Sequence, residues 1–378
     1  MKIAFFTETW YPNVDGVVVA LSNTKERIEK LKNEIVVFAA GTPDLKKRRK
    51  TKDVYIFPSV DFIPYPTYKI AIFPYPDAED IAKKEKVEVI HSHGMGPMGL
   101  AALYVASILN KPLVGTLHTN IQEATHYVIP IKPMQKIMKS MAWKYLRWYY
   151  NQCDKTIVPS EYMKKECEAN GIRNVVAISN GIDVERFKPG NKTIWLDRTV
   201  ILYTGRLVKE KNLEVVIKAA HLVKKEVPNA LFVVIGNGPM EQAYKEMAKK
   251  HKVDDLFIFI NGVKHKDIVQ YYQNADVFAF PSMFETQGLS CLEALACGLP
   301  VAGADYLAIP DLVRNDYNGY LFKPHNAREC ANAIVRCVGN RRRLGRNAVK
   351  SAQGHSIEKS VNRQLAIYHE LLNMPCEV

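Results

Sequence analysis

Apolar residues in this chain gather into short unbroken runs, and between the runs they recur every three or four positions. Runs at residues 2–7, 35–39, 87–91, 113–118, 155–160 and 175–179 predict strands buried on both faces, with helices over 20–31, 99–109 and 161–170 among them. Past residue 180 the same alternation resumes, with strands at 200–205, 230–236, 257–261 and 276–280 and helices at 212–225, 239–251 and 267–274. Strand and helix in strict alternation predict parallel sheets with right-handed crossovers, so the fold class is α/β with two doubly wound, Rossmann-like domains. Turn chemistry at Asn180-Gly181-Ile182-Asp183 and Phe187-Lys188-Pro189-Gly190 marks the join. Domains of 1–180 and 181–355 follow, with a hinge near 180–195 and a last helix from residue 356.

Composition narrows the function. A length of 378 residues suits two domains, and 47% hydrophobic with 24% charged residues is ordinary globular usage. There is no run of about 18 apolar residues, and Met1-Lys2-Ile3-Ala4-Phe5-Phe6 reads as a first strand rather than a signal peptide, so a cytoplasmic protein is expected. Seven cysteines at irregular spacing, with no Cys-x-x-Cys, are expected to be reduced and mostly buried. A formal charge of +13 favours an acidic partner: nucleotide phosphates, anionic lipid or nucleic acid. Nucleic acid is set aside, because no nucleic-acid-binding motif is present.

The densest chemistry lies at 276–301. An apolar strand there runs into a polar loop holding Glu285, and a helix expected to start near Gly288 carries Glu293. In a doubly wound fold this loop sits at the carboxyl end of a strand, where ligands bind, and the helix N-terminus favours an anion. Eight residues of helix would rise about 12 Å, too far for two carboxylates working on one bond at roughly 5 to 10 Å. Glu285 and Glu293 are therefore expected to hold opposite ends of one ligand, as a sugar nucleotide with a diphosphate at its middle would require. The plainer alternative is a carboxylate capping a core helix.

Glu285-x7-Glu293 followed by Ala294-Leu295-Ala296-Cys297-Gly298-Leu299-Pro300-Val301 resembles the donor-site motif of glycosyltransferase family 4, whose members have the GT-B fold. Glu285-Thr286-Gln287-Gly288 resembles more narrowly the diacylglycerol glucosyltransferases of that family, as does Thr125-His126-Tyr127. The resemblance spans essentially the whole chain and is tightest over 205–301. It implies two domains facing across an interdomain cleft, the first on the acceptor side and the second binding a nucleotide sugar, with helix 356–378 packing back on the first. Gly205-Arg206-x4-Lys211-Asn212 is similar to the family's diphosphate clamp. The resemblance implies that Arg206 and Lys211 stabilise the leaving nucleotide. Glu285, with backbone amides of Gln287, Gly288 and Leu289, would hold the hexose, Glu293 the ribose, and Ser290 a phosphate. Loops at Gly236 and Val263 would frame the base. In the first domain, Gly16 and Val17 would bring backbone amides to the donor phosphate, although Asp15 stands where the family more often has a first glycine. His118, ending its strand, would touch the hexose. The implied reaction is retaining and needs no metal or other cofactor.

UDP-glucose as donor and a diacylglycerol-type or archaeol-type lipid as acceptor are the favoured substrates. The alternatives are a mannosyltransferase using GDP-mannose, and a nucleotide-sugar-binding or epimerising protein without transfer activity. His91, His93 and His118 suggest a metal site, but no carboxylate or thiolate lies beside them in sequence, and strand-end histidines lining the crevice are the favoured alternative.

Residues 124–153 hold no acidic residue. Met134, Ile137, Met138, Met141, Tyr145 and Trp148 share one helical face, with Lys136, Lys139, Trp143 and Arg147 on the other. This predicts a helix lying on anionic lipid at the inner face of the cell membrane, with Trp143 at headgroup level, against the alternative of a core helix whose polar side is basic. Lys46-Lys47-Arg48-Arg49-Lys50-Thr51-Lys52 would be an exposed loop able to add to that surface.

Overall fold

The computed structural model describes residues 1–11, 16–41, 53–61, 69–118 and 132–373, the side chains of 132–136 and 265 excepted. Asp15, the basic run 46–52 and Thr125-His126-Tyr127 lie outside the described residues. The chain divides into two compact units, Met1–Gly181 with Ile357–Val378, and Ile182–Ser356.

In the first unit, eight described strands form one sheet in the order β4-β3-β2-β1-β5-β6-β7-β8. They are β1 (Lys2–Thr7), β2 (Glu34–Gly41), β3 (Val54–Asp61), β4 (Lys69–Ala71), β5 (Val89–Ser92), β6 (Leu113–Thr116), β7 (Lys155–Val158) and β8 (Val175–Ala177). All pair in parallel except β4, which runs antiparallel to β3 at the edge. Side chains alternate across a strand, so Ala4 and Phe6 enter one core and Ile3 and Phe5 the other. The first core is closed by α2 (Tyr75–Lys84), α3 (Pro97–Leu109), α4 (Lys132–Tyr150) and α5 (Glu161–Ala169). On the other face lie α1 (Gly16–Lys30) and the C-terminal α13 (Ile357–Leu371), joined by an Arg27–Glu358 ion pair at 3.2 Å.

The second unit is a six-stranded parallel sheet in the order β11-β10-β9-β12-β13-β14. Its strands are β9 (Thr199–Thr204), β10 (Ala230–Ile235), β11 (Phe257–Ile260), β12 (Val277–Phe280), β13 (Val301–Ala304) and β14 (Gly319–Phe322). Its helices are α6 (Leu213–Glu226), α7 (Glu241–Lys250), α8 (Val269–Gln273), α9 (Leu289–Ala296), α10 (Ile309–Leu312), α11 (Ala327–Gly339) and α12 (Arg341–Gln353). Strand order reverses between β9 and β12, and between β1 and β5 in the first unit. At such switch points the loops diverge and leave room for a ligand at the strands' carboxyl ends.

The sequence pattern missed β3, β4 and α2 in the first unit, and β13, α10, α11 and α12 in the second. β3 carries Pro58 and exposes its outer half, while α2 opens on Pro74 and Pro76, which read locally as loop. Gly16, expected in a loop, is the first residue of α1, four positions earlier than the periodicity suggested.

Candidate active site

At the switch point of the second unit, backbone bonds lock three loops together. The amide of Gly205 donates to the Ile235 carbonyl at 3.0 Å, and that of Leu207 to Asn237 at 2.8 Å. A Cβ on Gly236 would stand 1.9 Å from the Gly205 carbonyl oxygen, so a side chain at 236 would force the loops apart. Arg206 is exposed on this loop, its own carbonyl accepting from the Tyr203 hydroxyl at 3.1 Å. The loop then turns back beside the end of β12, where Met283 N–H donates to the Glu210 carbonyl at 2.8 Å and the Asn212 amide to Pro281 at 3.3 Å. These bonds bring Lys211 and Glu285 together from 74 positions apart. Lys211 Nζ lies 2.6 Å from Glu285 Oε1 and 3.2 Å from the Phe284 carbonyl, with side-chain exposures of 17% and 13% for lysine and glutamate.

Gly288 caps α9 at φ 99°, and a Cβ there would lie 2.9 Å from the Phe280 ring. The left-handed residue stops the helix short of Glu285, which corrects the expected rise: only 289–293 of the interval is helical, and the 12 Å figure does not apply. The two carboxylates nonetheless have separate partners. Glu293 Oε2 accepts from the Tyr272 hydroxyl at 2.6 Å, and the same hydroxyl lies 2.7 Å from Thr204 Oγ1 and 3.4 Å from the Ser290 carbonyl. Burial above all, and then the Glu293 charge, hold the Tyr272 phenol well above its usual range, so it remains a donor. Gln287 is buried; Leu289, Ser290 and Val263 are half-buried, and Val263 and Leu289 pack on the core.

In the first unit, Gly16 is exposed with open space around it, and Val17 is half-buried against the core shared with α13. His93 and His118 meet, Nδ1 to Nε2, at 3.1 Å. His91 is wholly buried, with Nδ1 2.6 Å from the Tyr368 hydroxyl and Nε2 2.6 Å from Thr116 Oγ1. It therefore lines no crevice, contrary to expectation, because hydroxyls within the fold occupy both its nitrogens. Among the described residues, no group of three or more His, Cys, Asp or Glu is disposed to hold a metal ion. Burial first and neighbouring histidines second hold His91 and His93 well below the ordinary histidine range; burial lowers His118 to about 4.

Glu8, just past β1, is buried, with Oε1 accepting from the Met98 amide at 2.8 Å at the start of α3 and Oε2 unpartnered. Burial pushes it up to about 7. Sequence reasoning missed Glu8, Tyr272 and Asn180, which hydrogen-bonds His118. The available signal was position: Glu8 is an acidic residue directly after a continuous apolar strand. Tyr272 gave none, since a tyrosine in an apolar helix reads as core.

Helix α4 turns Leu146, Tyr149 and Tyr150 inward. Ile137, Met141, Tyr145 and Trp148 are 62%, 62%, 39% and 49% exposed, so this apolar face is not core. Trp143, expected at headgroup level, instead packs half-buried against the core beside α4's inward residues. Lys139, Lys144 and Arg147 are exposed; the side chain of Lys136 lies outside the described residues. No helix among the described residues is long and apolar enough to cross a membrane. The six described cysteines are buried free thiols, and burial raises Cys153, Cys167 and Cys297 to about 12.

A family model described as Glycosyltransferase Family 4 matches residues 14–186, and one described as Glycosyl transferases group 1 matches residues 185–353. The chain is 28% identical to the alpha-monoglucosyldiacylglycerol synthase of Acholeplasma laidlawii, across 99% of this chain and 98% of that one. It is 23% identical to a GDP-mannose-dependent alpha-mannosyltransferase of Corynebacterium glutamicum, across 85% and 76%. The crystal structure of Anabaena HepE in complex with UDP superposes with a TM-score of 0.76 at 19% identity, covering 98% of this chain and all of that one, a likeness of fold.

Proposed function

Because this chain belongs to glycosyltransferase family 4 and has the two Rossmann-like domains of a GT-B enzyme, we propose that it transfers glucose from UDP-glucose to a hydroxyl of a diacylglycerol-type or archaeol-type lipid at a membrane surface. The observation that carries the proposal is the Lys211–Glu285 pair at the carboxyl end of β12, beside the N-terminus of α9. It sets a cation for a phosphate and an acceptor for sugar hydroxyls side by side, while Glu293, on its own hydrogen-bonded tyrosine, serves the ribose.

When the bond between the anomeric carbon and the β-phosphate oxygen breaks, the electron pair leaves with the nucleotide. Arg206, Lys211 and the unbonded first amides of α9 meet that charge from fixed positions, which is where preorganised groups lower a barrier most. These cations take the part a divalent metal plays in other transferases. The acceptor oxygen bonds to the anomeric carbon on the same face, and its proton passes to the departing phosphate, so configuration is retained. His118 contacts the hexose from the first unit, and Gly16 and Val17 offer their amides to the phosphate. The exposed row Ile137, Met141, Tyr145 and Trp148 enters the membrane interface, with Lys139, Lys144 and Arg147 at the anionic headgroups. In this role Trp148 replaces Trp143.

The similarity to a GDP-mannose-dependent enzyme keeps mannose transfer as a second reading. Thermal shift with UDP against GDP separates the two, since the proposal expects stabilisation by UDP alone. Glu285→Gln should then abolish most hexose transfer while UDP still stabilises the variant; equal loss of both would remove Glu285 from the hexose end.

A further inference from the structure

His118 does not stand alone. His91, His93 and His118 form a file of imidazoles, with ring centroids 3.9 Å apart for the first two and 5.4 Å for the second two, the latter planes 26° apart. Phe5 packs edge-on against His91 and His93, at 5.4 and 4.5 Å. Burial keeps all three rings neutral, and a neutral imidazole has one N–H and one lone pair. Across the 3.1 Å contact between His93 Nδ1 and His118 Nε2, one ring must therefore give a proton and the other accept it.

We propose that His93 is a positioning residue for the transfer reaction: its Nδ1–H donates to Nε2 of His118 and holds that ring in one tautomer and one orientation beside the hexose. One observation decides the direction, and Asn180 is a further hydrogen-bond partner of His118. His93 Nε2 is buried with no partner. In the proposed tautomer that atom is a bare lone pair; in the other it would be an N–H buried without an acceptor, with the full cost of its lost hydration. His91 serves either tautomer, since the Tyr368 and Thr116 hydroxyls can each donate or accept, and it fixes His93 from behind.

The proposal rests on His118 as a hexose contact, and the tests separate the two. Histidine-selective 15N NMR of the intact native chain should show His118 protonated at Nδ1 and bare at Nε2; a proton on Nε2 overturns the proposal. His93→Phe keeps the ring packing and removes the donor. It should lower kcat about ten- to a hundredfold, the usual scale for removing a group that orients a functional histidine, with little change in KM for the donor. His93→Asn, which can present an amide N–H near the place of Nδ1, should recover most of the rate. Native kcat in His93→Phe, alongside an inactive His118→Ala, overturns the positioning role alone. A fully active His118→Ala shows instead that the reading of His118 is wrong, and the proposal falls with it. If His93→Phe fails to fold, His93→Asn at native stability with a hundredfold loss of kcat also counts against the proposal.

Discussion

Arg206 is exposed on the loop after β9, at the carboxyl end of that strand, and the reaction should depend steeply on it. Arg206→Ala should reduce turnover by about a hundredfold or more with the fold unchanged, measured as kcat at saturating donor. Near-native kcat would remove it from the charge stabilisation. Glu8 makes a prediction of opposite character, on stability. The folded chain holds the Glu8 proton up to about pH 7, whereas an unfolded glutamate releases it near 4.5. Its contribution is therefore fully present at low pH and is lost as pH rises through 7. Glu8→Gln, which keeps an acceptor for the Met98 amide, escapes that loss. It should gain on the native protein at pH 8 by up to about 3 kcal/mol and gain nothing at pH 4.5, as read from denaturant unfolding at the two pH values. The buried histidines titrate with the opposite sign, their contribution falling as pH drops below 6.5, and cancel in this same-pH comparison. A difference that does not change with pH would mean that Glu8 is ionised in the fold.

At the scale of elements, α4 carries the claim about the membrane. Its exposed apolar row can be charged without touching Leu146, Tyr149 or Tyr150 beneath it, so Ile137→Asp with Met141→Asp should leave the melting temperature nearly unchanged. The variant should lose at least tenfold in affinity for vesicles containing anionic lipid; undiminished sedimentation with those vesicles would show that α4 is not the membrane face. Much of this level was legible in the sequence. Buried strands announced themselves as unbroken apolar runs, and the apolar face of α4 followed from its 3.6-residue period. The period could not say which face of α4 meets the core. Three inward aromatic and aliphatic residues near the helix C-terminus outcompeted the longer apolar row, and Trp143 went inward with them. The placement of Arg206, Lys211 and Glu285 past the carboxyl ends of strands, and of Glu293 on the helix that follows, was likewise readable. Partners supplied by tertiary contact, such as Tyr272 for Glu293, Asn180 for His118 and the α3 amide for Glu8, were not, because nothing local in sequence joins them.

At the scale of the whole molecule, two Rossmann-like units place their chemistry at strand ends beside a switch in strand order, and the family they belong to moves sugars. The second unit offers cations, a helix N-terminus and two separately held carboxylates, an arrangement suited to a donor with a charged middle and hydroxyls at both ends. On the proposed reading, the first would meet a hexose with His118 and a lipid with the exposed apolar face of α4. These assignments are tested together by following the sugar. The purified chain is incubated with UDP-[14C]glucose and vesicles of diacylglycerol in anionic phospholipid, in parallel with GDP-[14C]mannose, and label is counted in the organic extract. The account predicts that label from UDP-glucose enters the lipid phase, that it does so with EDTA present, and that Lys211→Ala abolishes it. Label entering lipid from GDP-mannose alone, or from neither donor while UDP-glucose is consumed, would contradict it.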